Sequence, residues 1–110
     1  MNGMEELFRE LEQQMLCGRE TVLATIIASS GSTPRGAGSR MLILSDGSIR
    51  GSIGGGAVEY QAIQTGLAAM REKQSAVHGF SLTRNQTADI GMVCGGDVVV
   101  YFQYASPENT

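Results

Sequence analysis

The spacing of apolar and polar positions predicts two helices. Between residues 3 and 17, apolar side chains recur at the i, i+3, i+4, i+7 spacing of one helix face, with glutamate and glutamine on the other; they are Met4, Leu7, Phe8, Leu11 and Met15. Gly18 is expected to end this helix. A second helix is predicted from residues 54–56 to about residue 73, with a buried stripe at Tyr60, Ile63, Leu67 and Met70.

Apolar runs between these helices and after them predict five strands. They cover residues 21–28, 40–44, 49–53, 76–83 and 98–104, and residues 85–90 are expected to form one short helical turn. The first run is almost continuously apolar, which is typical of a strand buried on both faces. Asp46-Gly47 predicts a hairpin turn between the second and third. Because helices and strands do not alternate strictly, the sequence predicts an α+β fold with a mixed or mainly antiparallel sheet.

Glycine and arginine are concentrated in the loops beside this hairpin. Residues 29–59 hold more than half of the fifteen glycines, together with Arg35, Arg40 and Arg50. Glycine lets backbone N–H groups approach a ligand closely, and arginine offers a fixed fork of donors to phosphate or carboxylate. We interpret this stretch as an anion-binding site for a phosphate-bearing small molecule. The alternative is that the glycines only shape tight turns.

Composition narrows the class of protein. The net charge of −3 and the pI near 5.0 argue against general nucleic-acid binding, which needs a basic face. No apolar run is long enough to span a membrane. The acidic, amphipathic N-terminus does not resemble a signal peptide, so the cytoplasm is the expected compartment. Two cysteines and one histidine make a dedicated zinc site improbable, and the cysteines are expected to be free thiols.

Two side chains beside the glycines are open to functional and structural interpretations. Glu59 lies in the first turn of the second helix, where a carboxylate either stabilises the helix dipole or faces a ligand. Cys94 lies between small residues and is the best candidate for a reactive thiol, although cysteine also fills tight turns. His78 is expected to be a strand residue rather than a catalyst. A P-loop is excluded because Ala37 stands where lysine is needed, and the dinucleotide fingerprint fails at Glu59.

Three separated motifs in this chain resemble the N-terminal domain of the XdhC/CoxI family. They are SSGSTPRGAGSRM (29–41), GSIGGGAVE (51–59) and MVCGGDV (92–98). Members of that family are accessory proteins of molybdenum hydroxylases such as xanthine dehydrogenase and carbon monoxide dehydrogenase. The resemblance covers nearly the whole chain, and it implies one domain over residues 1–110 without the C-terminal Rossmann-like domain that members commonly carry. Ala57 stands where the family usually has a cysteine.

The resemblance implies a cofactor-binding chaperone rather than an enzyme with turnover. Family members hold molybdenum cofactor (molybdopterin), a pterin with a dithiolene and a phosphate, assist its sulfuration by a cysteine desulfurase, and pass it to the apo-hydroxylase. The positions carried over by motif are Pro34, Arg35, Gly36, Arg40, Gly54, Gly55, Gly56, Glu59, Cys94, Gly95 and Gly96. Arg35, Arg40 and the helix start at 54–56 are expected to take the phosphate. Cys94 is expected to approach the molybdenum or a sulfur ligand.

The expected partners follow from this interpretation. They are an apo molybdenum hydroxylase, a cysteine desulfurase, a separate Rossmann-domain protein and further copies of this chain, with no nucleic acid and no membrane. Two other functions stay open. The chain is either an interaction module that docks a Rossmann-domain partner without binding cofactor itself, or a redox or sulfurtransferase enzyme that uses Cys94.

Overall fold

The computed structural model describes residues 3–30, 37–54, 56–81 and 97–107. Within them the elements in chain order are α1 (Gly3–Leu16), β1 (Thr21–Ser30), β2 (Arg40–Leu44), β3 (Ile49–Gly51), α2 (Gly56–Glu72), β4 (Ala76–Ser81) and β5 (Asp97–Ala105). The described strands form one sheet in the order β3-β2-β1-β5-β4, and every neighbouring pair is antiparallel. This confirms the α+β prediction, with a sheet that is antiparallel throughout. No helix in the described ranges is both long and apolar enough to cross a membrane.

Two strands differ in length from their predictions. β1 continues two residues beyond the predicted end, to Ser30. β3 stops at Gly51, two residues early, because the chain turns there and buries Ile53, which is 2% exposed, in the core. The helical turn predicted at 85–90 and the last two residues predicted for β4 lie outside the described residues.

The β2–β3 hairpin confirms the predicted turn. The Leu44 N–H donates to the Ser48 carbonyl and the Gly47 N–H donates to the Leu44 carbonyl, while Gly47 takes a φ of +89° that favours glycine. One carboxylate oxygen of Asp46 accepts bonds from the Ser48 hydroxyl at 2.6 Å and the Ser48 N–H at 2.9 Å. These two bonds hold the pKa of Asp46 below its ordinary value.

Each face of the sheet carries one helix and its own apolar cluster. On the face under α2, alternate residues of β1, β2 and β5 pack against the helix; they include Val22, Ala24, Ile26, Met41, Ile43, Val100 and Phe102. On the opposite face, Leu7 and Leu11 of α1 pack on Leu23, Leu42 and Leu44. β1 lies between the two helices, and residues 21–24 are buried on both faces, as predicted. The prediction of burial on both faces is wrong for the end of the run, where Ile27 is 51% exposed and Ala28 is exposed.

α2 packs through small residues, and the predicted stripe is wrong at Tyr60, which is 66% exposed. Ile63 and Leu67 are only partly buried. The closest approach is at Gly66, where a Cβ would lie 2.4 Å from Cδ1 of Ile43. The helix therefore turns its narrow side to the sheet, and the residues buried there are Val58, Ala62, Ala69 and Met70.

Both helices end in a residue with a left-handed backbone. Gly18, with a φ of +79°, ends α1 as predicted, and Lys73, with a φ of +56°, follows α2. The Lys73 Nζ donates to Glu20 Oε2 at 2.8 Å, and the Tyr104 hydroxyl donates to the same oxygen. This cluster ties the end of α2 to the start of β1 and to β5.

The Glu20 cluster gives the stability of the fold an acid-sensitive component. The bonds from Lys73 and then Tyr104 lower the pKa of Glu20 in the folded state, so its contribution is present above the ordinary pKa of 4.5 and is lost as the pH falls below it. We expect Glu20→Gln to be less stable than wild type at pH 7, and the difference to shrink as the pH falls below 4.5. Urea unfolding midpoints of both proteins across this range measure the difference. A gap that stays constant with pH would contradict the assignment.

Candidate functional site

The described residues that flank the three motifs lie at one end of the sheet. We call it the loop end and define it by Ser30, Arg40, Gly51, Ser81 and Asp97, where β1, β3 and β4 finish and β2 and β5 begin. Residues 31–39 connect β1 to β2, residues 52–55 connect β3 to α2, and residues 82–96 connect β4 to β5. The antiparallel topology therefore brings both ends of every motif-bearing segment to the loop end.

The loop end is stepped rather than flat. β2 begins opposite Thr25, whereas β1 and β5 stay paired as far as Ser30 and Asp97. Five strand residues correspond to roughly 16 Å. Along this step, the Ile26 N–H donates to the Ser39 carbonyl and the Gly38 N–H donates to the Ile26 carbonyl. The chain between residues 30 and 37 thus joins the far end of β1 to the start of the segment that pairs near Ile26.

The predicted hairpin brings the start of β2 and the end of β3, which border the two glycine loops, next to each other. Gly51 pairs with Met41, and a Cβ on Gly51 would lie 2.9 Å from the Arg40 carbonyl oxygen and 3.3 Å from a methyl group of Leu7. Gly51 also has a φ of +80°. Only glycine meets both conditions without a shift of the neighbouring backbone.

A hydroxyl holds the loop that leads into α2. The Ser52 Oγ donates to Glu59 Oε2 at 2.7 Å and accepts the Gly54 N–H at 3.1 Å. Ile53, between Ser52 and Gly54, is buried in the core. The loop is therefore held by the Ser52 hydroxyl and by this apolar contact. Glu59 therefore orients the start of its own helix through Ser52, and a role toward a ligand stays a prediction. The sequence analysis missed Ser52, although a serine two residues before glycine is a known turn signal.

The backbone at the start of α2 is accessible. Gly56 has a φ of +65°, and a Cβ there would meet no atom within 4 Å. Gly54 has a φ of +137°. The first turn of a helix carries unpaired N–H groups and the positive end of the helix dipole. This combination suits a phosphate or carboxylate group.

Arg40 and Arg50, the two arginines of the glycine-rich stretch that the structure describes, lie on the α1 face of the sheet. Arg40 and Leu42 lie two residues apart on β2, so their side chains are on the same face. The Cζ of Arg40 lies 5.9 Å from the centroid of the Phe8 ring. Arg50 Nε lies 4.0 Å from Glu10 Oε1 on α1. The start of α2 packs on the other face. The structure therefore does not place the Arg40 guanidinium on the same face as the glycines of that helix start.

The remaining predicted site residues lie outside the described residues and stay predictions. They are Pro34, Arg35, Gly36, Gly55, Cys94, Gly95 and Gly96. In the part of the chain that the structure describes, no group of three or more His, Cys, Asp or Glu side chains is placed to hold a metal ion. Cys17 is an exposed free thiol, as expected.

A cleft of about 500 Å³ opens at the opposite end of the sheet, between Arg19, Ser45, Lys73 and Tyr104. Within it, Glu20 already accepts hydrogen bonds from both Lys73 and Tyr104. The motif residues lie at the loop end, so we place the candidate site there and not in this cleft.

Comparisons with known proteins agree with the motifs. The sequence profile of the XdhC and CoxI family matches residues 17–81. The uncharacterized protein YqeB of Escherichia coli K12 is 40% identical over 79 residues, which are 72% of this chain and 14% of that protein. A crystal structure described as a xanthine dehydrogenase from Bacillus halodurans has the same fold, with a TM-score of 0.71 and 24% identity over 94% of this chain and 30% of that one. The chain thus spans a small part of the length of these relatives.

Proposed function

This chain belongs to the XdhC and CoxI family, and from that premise we propose that it is an accessory factor in the maturation of a xanthine-dehydrogenase-type molybdenum hydroxylase. It would bind molybdenum cofactor at the loop end and pass it to the apo-enzyme. The description of the B. halodurans chain as a xanthine dehydrogenase supports this enzyme class.

The observation that carries the proposal is the convergence of the three motifs. Segments 31–39, 52–55 and 82–96 are distant in sequence, yet both ends of each lie at the loop end. In an antiparallel sheet, alternate connections share one end by topology. Turn formation does not require all three glycine-rich motifs to lie on these connections, whereas a ligand bound at that end would use backbone donors from several of them.

The described residues fit the phosphate of the cofactor. The open backbone at Gly56 admits an anion to the first turn of α2, and the Ser52–Glu59 bond fixes that turn before the ligand arrives. When bound, the cofactor supplies the molybdenum–dithiolene group that a hydroxylase needs. The role of this chain is to hold the cofactor and limit its exposure to water.

The other site residues take their proposed roles from the motifs. Arg35 is proposed to pair with the phosphate, and Cys94 with its glycines to lie beside the metal or a sulfur ligand. Arg40 would have to leave the ring of Phe8 to reach the start of α2. We therefore assign the phosphate first to Arg35 and to the helix start.

Thermal unfolding with and without molybdenum cofactor tests the proposal. At about 100 times its dissociation constant, a ligand adds about 2.7 kcal/mol of apparent stability, which is a shift of about ten degrees or more for a domain of this size. Arg35→Ala is expected to weaken binding by several-fold to a hundredfold, because a hydrogen bond to a charged group contributes about 1.5–3 kcal/mol. Arg19→Ala, at the opposite end of the sheet, is the matched control and should keep the full shift.

The outcomes separate the candidate functions. A shift that Arg35→Ala removes and Arg19→Ala keeps supports the cofactor site, and its loss in Cys94→Ser adds the thiol to that site. No shift in any protein, combined with binding of a separate Rossmann-domain protein, would replace the proposal by the interaction-module function.

A further inference from the structure

β4 is an outer strand that lacks the features by which proteins protect a sheet edge. It runs regularly from Ala76 to Ser81 as AVHGFS, with no proline, aspartate, glutamate, lysine or arginine. Its pairing with β5 shows no register shift. Exposed edges are usually blunted by charge, proline, bulges or short strands. The opposite edge strand, β3, has only three residues and carries Arg50.

Space is open on both sides of this edge. On the α1 face, Val77 is 57% exposed and Gly79 is exposed, because α1 packs over the other half of the sheet. On the α2 face, a groove of about 390 Å³ runs between α2 and β4, and its lining includes Ala68, Ala76 and His78. Among the described residues, nothing pairs with the outer backbone edge of β4, and an added strand would have room for its side chains on either side.

We propose that β4 pairs antiparallel with β4 of a second copy of this chain, with His78 opposite His78. Residues directly opposite in an antiparallel pair share a face, so a two-fold axis has to pass through a residue pair of the same number. Centring on His78 places Ala76 opposite Phe80 and Val77 opposite Gly79 of the second copy. The interface joins the two sheets into one of ten strands.

The sizes of the opposed side chains favour this occupant and this register. Phe80 projects on the α2 face, where its ring stacks on His78 at a centroid distance of 6.5 Å and meets Phe102 edge-to-face at 6.2 Å. Opposed Cβ atoms lie about 4.5–5.5 Å apart, so Phe80 of the second copy would cover Ala76 and the groove beside it. A register centred on Gly79 would place Phe80 opposite His78 and Ala76 opposite residue 82, beyond the end of β4.

Charge also permits self-pairing. β4 carries no aspartate, glutamate, lysine or arginine, so two copies bring no such like charges together across the axis. In this two-fold symmetric contact, the backbone N–H and C=O groups of one β4 edge pair with the same groups of the other. The interface is remote from the start of α2, and the inference does not depend on the proposed function.

Sedimentation equilibrium with charge-swapped variants tests the pairing. Wild type at high micromolar concentration should have about twice the mass of the 11.6 kDa chain. His78→Glu and His78→Lys each place like charges directly opposite, and each should be monomeric. An equimolar mixture of the two variants should recover the dimer, because the opposed charges then attract. Tyr60→Glu, on an exposed position of α2, is the control and should stay dimeric.

Disulfide capture checks the register. In a Cys17→Ser, Cys94→Ser background, His78→Cys should form a covalent dimer on mild oxidation, whereas Val77→Cys should not, since it lies opposite Gly79. A monomeric wild type would overturn the inference. So would a dimer that both charged His78 variants leave intact, or a mixture that fails to recover dimer although each variant is folded by circular dichroism.

Discussion

Replacing Phe102 with alanine is expected to lower the free energy of unfolding by about 3–5 kcal/mol, the largest stability effect predicted for a single side chain in this domain. Phe102 is fully buried in the middle of β5. Its ring makes edge-to-face contacts with His78 at 5.9 Å and Phe80 at 6.2 Å. The substitution removes these contacts and leaves a cavity that the surrounding strands cannot close, because β5 is paired on both sides.

Urea unfolding at low protein concentration measures this loss. The midpoint should fall while the slope with denaturant stays unchanged, which shows that stability and not compactness has changed. Tyr60→Ala removes a ring that is 66% exposed and should change stability by no more than about 0.5 kcal/mol. Equal effects of the two substitutions would contradict the description of the core.

Gly51→Ala is expected to destabilise the fold by about 2–4 kcal/mol. A left-handed conformation costs a residue with a Cβ about 1–2 kcal/mol, and relief of an overpacked contact adds a similar amount. The new Cβ would lie 2.9 Å from the backbone oxygen of Arg40, which cannot rotate away as a side chain would. Relief of the contact would also displace the start of the loop that Ser52 fixes.

Gly38→Ala separates the two causes. Gly38 has a φ of +96°, but a Cβ there would meet no atom within 4 Å. This variant should therefore carry the conformational cost alone, about 1–2 kcal/mol. Thermal or urea unfolding of both variants gives the difference, and a Gly51→Ala variant no less stable than Gly38→Ala would show that the hairpin backbone yields easily at Gly51.

Local patterns predicted the elements well where one periodicity dominated. The apolar run in β1 and the Asp46-Gly47 turn specify their structures with little help from the rest of the chain. The predicted buried stripe of α2 was wrong at Tyr60, because a large apolar side chain suggests contact, whereas the helix approaches the sheet most closely at Gly66. Which residues of α2 are buried depends on how closely the helix approaches the sheet, and the periodicity of apolar residues carries no information on that distance.

The candidate site was predicted in its segments but not in its shape. The motifs identify the loops, and the hairpin correctly joins Arg40 to Gly51. The step at the loop end arises from unequal pairing of β1 with β2 and with β5, which is set by the whole sheet. Arg40 lies on the α1 face because it is two residues from Leu42, which packs against α1. The sequence predicts this position once each helix has been assigned to a face of the sheet.

The pairing of β1 with β5 also bears on how the chain folds. Thr21 pairs with Ala105, so the central strand contact of the sheet joins the two ends of the described chain. Closing so long a loop costs entropy before the contact forms, and domains dominated by such contacts fold in milliseconds to seconds rather than microseconds. During synthesis, β1 has β2 on one side but has to wait for β5 on the other. The apolar surface that Phe102 will cover therefore stays open until β5 has left the ribosome.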